Sequence, residues 1–309
     1  MGPTASGKSS IALQIAARLP VEIISVDSAQ VYRHMDIGTA KPDAQTRAKF
    51  PHHLIDLLEP HEHYSAARFA SDALAAMQEI TRRGKTPLLV GGTMLYFRAL
   101  LQGLTELPSA DSNVRGEIES KAAEAGWSAM HKELSRLDPP SAARIHPADS
   151  QRIQRALEVC YISGQPMSEI LKTHRVSHLP YSIFHIALVP SDRALLHQRI
   201  TQRFDQMLEQ GLIDEVQTIR DKFPLHETSP SMRCVGYRQA WMYLNGRIGS
   251  AEMRQTALAA TRQLAKRQLT WLRPMKETME LDCLSEKAGE QVLRYLEKIL
   301  AESASTASA

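Results

Sequence analysis

The sequence predicts an α/β fold: a parallel sheet flanked by helices, with a helical insertion. Three observations carry that reading. Gly2, Pro3, Thr4, Ala5, Ser6, Gly7, Lys8 and Ser9 fit G-x-x-x-x-G-K-[ST], the pattern of a phosphate-binding loop that opens a helix. Short β-branched apolar runs, residues 21–26 (VEIISV) and 87–90 (PLLV), alternate with amphipathic helical stretches, as buried parallel strands do. From about residue 108 to 180 such runs vanish. Segments rich in Ala, Glu and Arg replace them, broken by Asp138-Pro139-Pro140, His146-Pro147 and Gly164-Gln165-Pro166.

Each residue type in the loop has a physical task. The glycines let the backbone curl so that successive N–H groups form an anion nest. The helix N-terminus adds positive potential at the same place. Lys8 is a point charge that reaches a terminal phosphate, and the Ser9 hydroxyl can hold Mg²⁺. Ile11, Ile15 and Leu19 recur every four residues beside Ala12 and Ala16, and Pro20 ends the run, as a helix requires. The fold class is therefore P-loop NTPase-like. Such a loop normally follows a buried strand, and no strand precedes it in this sequence. The expectation is a sheet lacking a central strand between residues 21–26 and 87–90, with exposed neighbours and poor solubility. A longer start supplying about ten apolar-rich residues would repair it.

The bulk numbers bound the alternatives. The 309 residues suffice for one large or two ordinary domains, and 43% hydrophobic content supports a core. A net charge of +3 permits a polyanionic partner without requiring one. Cys160, Cys234 and Cys283 are scattered, which disfavours a disulfide framework and a zinc site. The sequence has no signal peptide and no apolar run of membrane-spanning length, so a cytoplasmic protein with no membrane partner is expected. The stretch 302–309 is low in complexity and is expected to be disordered.

In chain order, Asp27 and Ser28 follow the run 21–26, at the strand end where open α/β sheets bind ligands. An aspartate there also commonly caps a helix. Residues 31–41 have no period and read as an active-site loop. His52, His53, His61 and His63 form a cluster, more often solvated than metal-bound. Ser65 is placed to cap a helix carrying Phe69, Ala73, Leu74, Met77 and Ile80 on one face, ended by Gly84. Gly91-Gly92-Thr93 follows the run 87–90, putting Thr93 at the same edge as Asp27. Arg152 and Arg155 share a helix face, solvated or phosphate-binding. Residues 181–189 return to strand character, and a helix follows with Leu196, Ile200, Phe204 and Met207 on its core face. Its Arg199 and Arg203, four apart, are either surface charge or a phosphate clamp. The last long helix carries Arg262, Lys266, Arg267 and Arg273 around Trp271. No acid falls between Arg254 and Arg273, which favours a nucleic-acid backbone as its partner.

Taken together, several segments resemble the tRNA dimethylallyltransferases, the bacterial tRNA isopentenyltransferase (IPP transferase) family. They are the loop from Gly2 to Ser9, Val26-Asp27-Ser28-Ala29-Gln30-Val31-Tyr32, Asp36-Ile37-Gly38-Thr39-Ala40-Lys41-Pro42 and Gly91-Gly92-Thr93-Met94-Leu95-Tyr96. Arg233-Cys234-Val235-Gly236-Tyr237-Arg238 with Gln239, and Lys266-Arg267-Gln268-Leu269-Thr270-Trp271-Leu272-Arg273, complete the set. The resemblance runs in order through nearly the whole chain. It implies transfer of a dimethylallyl group from dimethylallyl diphosphate to N6 of the tRNA adenosine just 3′ of the anticodon. It further implies that the residues from Gly2 to Ser9, with Arg203, hold the diphosphate, that Mg²⁺ is held through Ser9, that Asp27 is the general base and that Thr93 orients the reacting groups. Asp27, Ser28, Ala29, Gln30, Thr93, Arg115, Gln151, Arg152, Ile153, Gln154, Arg155 and the Arg233–Arg238 and Lys266–Arg273 segments are implied to contact tRNA. The zinc finger of the eukaryotic relatives is absent from this sequence.

The organisation expected is a catalytic core of residues 1–110 and 181–301, an insertion of residues 111–180 gripping the anticodon stem-loop, and a monomer. A P-loop kinase for a small molecule or nucleoside is the main rival, because loop, carboxylate and arginines also suit phosphoryl transfer. It leaves the acid-free basic helix unexplained. A non-catalytic RNA-binding protein is the second, opposed by Asp27, Thr93 and an intact Lys8-Ser9.

Overall fold

The computed structural model describes residues 1–103, 107–172, 179–275 and 277–307, with side chains to residue 302. The chain divides into two compact units, residues 1–100 with 180–309 and residues 101–179. The division falls within the last turn of the helix Met94–Gln102.

In the first unit the phosphate loop runs into α1 (Lys8–Ala16), and Leu19 and Pro20 lead to β1 (Val21–Val26). Next come α2 (Ala44–Lys49), β2 (His52–His53), α3 (Ala66–Arg82), β3 (Thr86–Gly91) and α4 (Met94–Gln102). Ser65 caps α3 by accepting from the Arg68 amide at 3.1 Å, and Gly84 leaves it at φ +72°. Phe69, Ala73, Met77 and Ile80 form the buried face of α3, at the spacing the sequence predicts; Leu74 is only half-buried.

The second unit is all helix among its described residues: α5 (Ser112–Ala125), α6 (Trp127–Leu137), α7 (Pro139–Arg144), α8 (Ser150–Ser163) and α9 (Met167–Lys172). Its core contains Ile118, Leu134, Ile153 and Leu157. The carboxylate of Glu158 is fully buried there and accepts from the Asp111 amide and from the guanidinium groups of Arg115 and Arg155.

The chain returns to the first unit with β4 (His185–Val189), α10 (Arg193–Glu209), α11 (Leu212–Lys222), a 3₁₀ turn (Ser231–Arg233), α12 (Tyr237–Leu244) and α13 (Ser250–Leu272). Leu196, Ile200, Phe204 and Met207 are the buried residues of α10, again as the sequence predicts. The basic helix α13 is not the last: β5 (Thr278–Asp282) and α14 (Ala288–Ala307) follow it. The tail expected to be disordered from residue 302 is helical to Ala307, and residues 308–309 lie outside the described residues.

Among the described residues the strands form a three-stranded parallel sheet, order β2-β1-β3, and a parallel pair, β4-β5. This corrects one expectation. β1 and β3 are direct neighbours, paired from Val21↔Thr86 to Val26↔Gly91, and no strand is missing between them. Met1 pairs instead with β4. Its nitrogen donates to the Ile186 carbonyl at 2.7 Å, and the Leu188 amide donates to the Met1 carbonyl at 2.9 Å, the bonding pattern of a parallel bridge. Of the histidine cluster, His61 and His63 are exposed, whereas His52 and His53 are the half-buried strand that pairs with Ile23 and Ile24.

Glu22, at the amino end of β1, is 4% exposed. Burial pushes its carboxyl pKa up, but hydrogen bonds from His53, Arg83 and Lys85 outweigh that and hold it down at about 2. A carboxyl depressed in the folded state stabilises fully above its unfolded value and loses that contribution as pH falls through the folded value; by linkage it is worth on the order of 3 kcal/mol. Urea denaturation of wild type and Glu22→Gln from pH 6 to pH 2 is expected to show a steeper acid loss for wild type. Parallel curves would remove Glu22 from the stability of this sheet.

Candidate active site

The parallel pairing of β1 and β3 puts their carboxyl ends side by side. Asp27 and Ser28 leave β1 there, and Gly92 and Thr93 leave β3. The Ser28 amide donates to Thr93 Oγ1 at 3.0 Å, and the Thr93 amide donates to the Val26 carbonyl at 3.2 Å, so the two strand ends are tied together. Asp27 Oδ1 accepts from the Ala29 amide at 2.9 Å and leaves the rest of its carboxylate toward the cavity it lines. Gln30 turns inward, accepting from Ser25 Oγ at 2.9 Å and donating to the Thr39 carbonyl at 3.3 Å.

The phosphate loop faces this edge. Ala5 (φ +61°) and Gly7 (φ +77°) are left-handed, and that curl turns successive amides to one side. The amides of Ala5, Gly7, Lys8 and Ser9 have no hydrogen-bond partner among the described residues, and Ser6 Oγ is buried with none. Ser9 is exposed in the first turn of α1, and its hydroxyl is likewise unpartnered there. Lys8 donates to the Pro3 carbonyl at 2.9 Å. Its ammonium is pushed down to about 8, chiefly by burial; Asp27 opposes the shift and Arg203 adds to it. Burial also lowers the Arg203 pKa, again opposed by Asp27. Arg203 makes no hydrogen bond or ion pair with any described residue. Arg199 lies elsewhere, donating to the Cys283 carbonyl at 3.0 Å, so of the two arginines on α10 only Arg203 lines the cavity.

These groups share a cavity of about 890 Å³. Thr4, Ala5, Lys8, Ser9, Asp27 to Gln30, Thr93 and Arg203 line it, as do the segment from Arg233 to Tyr237 and Arg267, Gln268 and Trp271. Tyr64, Met94, Tyr96, Ile200, Phe204 and Met207 give it an apolar side. Cys234 stays a neutral thiol, pushed up to about 12 by burial and then by Asp27.

The residues that the resemblance assigns to tRNA separate into two kinds. Arg233, Arg238, Lys266, Arg267, Thr270, Trp271 and Arg273 are exposed. Gly236, Tyr237, Gln268 and Leu272 are buried and hold the framework, and Val235 and Leu269 are half-buried. In the second unit Ile153 is core, Gln151 is exposed, Arg152 is exposed and pairs with Asp149, and Gln154 donates to Glu119. Arg115 and Arg155 are committed to Glu158, which explains their presence without a phosphate.

Sequence reading missed two residues that shape the cavity. Glu215 on α11 accepts from the amides of Asp36 (2.9 Å), Ile37 (2.7 Å) and Gly38 (3.2 Å) and from the Tyr237 hydroxyl. Lys41, its side chain 1% exposed, ties Asp36 to Asp56 and donates to the Tyr32 carbonyl. Together they fix the wall of residues 36–40. Gly38 is needed there, since a Cβ would sit 2.4 Å from the Tyr237 ring. The signal for Glu215 was absent because its partners are backbone amides far away in sequence.

Comparison with known proteins agrees with this geometry. The model of the IPP transferase family matches residues 30–275. The tRNA dimethylallyltransferase of Nitrosospira multiformis is 67% identical over 296 residues, covering 96% of this chain and 92% of the relative. That of Nitrosomonas eutropha is 60% identical, covering 96% and 94%. The crystal structure of the tRNA isopentenylpyrophosphate transferase of Bacillus halodurans superposes with a TM-score of 0.71 at 37% identity, covering 100% of this chain and 97% of that one. A eukaryotic dimethylallyltransferase acting on tRNA gives a TM-score of 0.80 at 27% identity, with 97% and 78% covered. The fold and site define a transferase with a P-loop-like core. The chain belongs to the IPP transferase family, whose curated relatives above are tRNA dimethylallyltransferases.

Lys8 and Arg203 are the half-buried cations that an anion in this cavity would meet. Lys8→Met or Arg203→Met is expected to weaken inorganic diphosphate binding by at least about tenfold, since each removes a charge-assisted contact. For Lys8 the ammonium must be protonated to attract the anion, so wild-type affinity should fall as pH rises through about 8. Calorimetric titration from pH 7 to pH 9.5 checks this, and a pH-independent affinity equal in wild type and Lys8→Met would contradict it.

Proposed function

We propose that this chain is a tRNA dimethylallyltransferase: it transfers a dimethylallyl group from dimethylallyl diphosphate to N6 of the adenosine just 3′ of the anticodon. The observation that carries the reading is two half-buried cations, Lys8 and Arg203, beside unpartnered loop amides, across one cavity from the Asp27 carboxylate. A charge-poor apolar wall next to an anion nest suits a short prenyl chain on a diphosphate.

In the proposed reaction the bond between the allylic carbon and its diphosphate oxygen breaks, and its electron pair stays on that oxygen. The loop amides, Lys8 and Arg203 stabilise the charge as it develops. The adenine N6 forms the new bond to carbon and gives up a proton, which Asp27 accepts as general base. Thr93, bonded to the Ser28 amide, holds Asp27's strand end in place and orients the reacting groups. The adenine must leave its stack to reach this cavity. The exposed basic residues of α13, with Arg233 and Arg238, suit the tRNA backbone. The helical unit is proposed to grip the anticodon stem-loop, with the exposed Gln151 and Arg152 among its contacts.

The residues present fit Mg²⁺. Among the described residues no group of three or more His, Cys, Asp or Glu side chains could hold a metal, but Mg²⁺ is commonly bound through one or two protein oxygens together with substrate phosphates. The unpartnered Ser9 hydroxyl at the nest supplies such an oxygen. Bound there with diphosphate, the ion would neutralise charge on the leaving group. No described helix is long and apolar enough to cross a membrane. The proposed enzyme acts as a monomer in the cytoplasm.

Mass analysis of tRNA nucleosides after incubation with dimethylallyl diphosphate and Mg²⁺ is expected to reveal N6-dimethylallyladenosine. Asp27→Ala should lower kcat about 10²–10⁴-fold with tRNA affinity near wild type. An unmodified tRNA pool would sink the reading as a whole; a near-normal kcat in Asp27→Ala would remove only the general base.

A further inference from the structure

Gln268 sits in the basic segment of α13, yet it is only 8% exposed while Lys266 and Arg267 on the same helix and Arg273 at its C-cap are exposed. Its amide spans two loops. Oε1 accepts from the Thr4 amide of the phosphate loop at 2.8 Å, and Nε2 donates to the Gly92 carbonyl, at the turn after β3, at 2.9 Å. Neither backbone group has another partner among the described residues. The two partners also fix which end of the amide is oxygen, since one can only donate and the other only accept. The approach is close: a Cβ on Gly92 would lie 2.3 Å from Nε2, so the glycine there makes room for this side chain.

The chemistry on either side of that bridge differs. Thr4 belongs to the loop whose amides face the leaving group. Gly92 precedes Thr93, which accepts from the Ser28 amide, next to Asp27. Resting on the function proposed above, we infer that Gln268 is a positioning residue: its side-chain amide sets the separation between the diphosphate nest and the Thr93–Ser28–Asp27 edge, and it is not a contact to tRNA. One buried amide at this junction controls how the allylic carbon meets the amine. A displacement of about 1 Å there costs on the order of 10²-fold in rate.

The test compares Gln268→Glu, Gln268→Met and Gly92→Ala with wild type and Lys266→Ala. Glutamate keeps an acceptor for the Thr4 amide but cannot donate to the Gly92 carbonyl; methionine has similar length and can do neither. Gly92→Ala pushes Gln268 aside without altering it, and its Cβ also crowds the Gly2 carbonyl at 3.1 Å. All three are expected to lower kcat about 10²-fold, with tRNA Kd and its salt dependence unchanged. Lys266→Ala, by contrast, should weaken tRNA binding and lower the salt slope by about one. Adding Gly92→Ala to Gln268→Ala should cost less than the two single losses combined, because the contact with Gln268 is gone and only the close approach to the Gly2 carbonyl remains. Single-turnover rates with both substrates saturating, normalised to the folded fraction from melting curves, keep misfolding from mimicking the effect. A change in tRNA Kd or salt slope with kcat intact would make Gln268 an RNA contact and overturn the inference. Additive losses in the double variant would overturn it too. If wild type transferred no prenyl group, the function reading would fall and this inference with it; active wild type with unimpaired variants would remove this inference alone.

Discussion

The site depends on the register between β1 and β3. Six consecutive parallel pairs, ending at Val26↔Gly91, bring Asp27 and Thr93 to the same edge at the same height. A slip of one residue would turn every side chain of a strand to the opposite face. β1 cannot tolerate this, since all six of its residues are buried. Burial of aliphatic side chains therefore fixes where a carboxylate stands against a phosphate loop. Further bonds then lock the junction: Ser28 to Thr93, Thr93 to Val26, and Gln268 across from Thr4 to Gly92.

Around that edge, among the described residues, Lys8 and Arg203 have no carboxylate bonded to them. Buried cations are normally paired, because an unpaired charge out of water is costly. Glu22, Glu158 and Asp56 show the usual solution, each held by basic partners. Lys8 and Arg203 depart from it, with a carbonyl for one and no bonded partner for the other among the described residues. Desolvation lowers the pKa of both. The apolar side of the same cavity argues for an anion that carries a hydrocarbon.

Much of this was legible in the sequence, for reasons that are local. The loop from Gly2 to Ser9, the β-branched run of β1 and the fourfold spacing on α3 and α10 each encode their structure within a few residues. What escaped depends on distant partners. β2 is two histidines whose strand state comes only from pairing with β1. The order of strands was misjudged because adjacency of β1 and β3 is a tertiary fact, invisible in two apolar runs of similar character. Glu215, an ordinary surface acid in sequence, is a backbone anchor in space. Gln268 lies inside a basic motif whose composition suggests one role for all its members, but helical periodicity turns it inward while its neighbours face solvent.

The central claim is that Lys8, Arg203 and the loop amides hold the diphosphate of a prenyl donor rather than a nucleotide for phosphoryl transfer. Competition titration tests it directly: dimethylallyl diphosphate is bound in the presence of Mg²⁺, then challenged with inorganic diphosphate and, separately, with ATP carrying a labelled γ-phosphate. The account expects inorganic diphosphate to displace the prenyl donor one for one, Lys8→Met to weaken both interactions by at least about tenfold, and no γ-phosphate to leave ATP. Tighter binding of ATP than of dimethylallyl diphosphate, with transfer of its γ-phosphate to an acceptor, would contradict it.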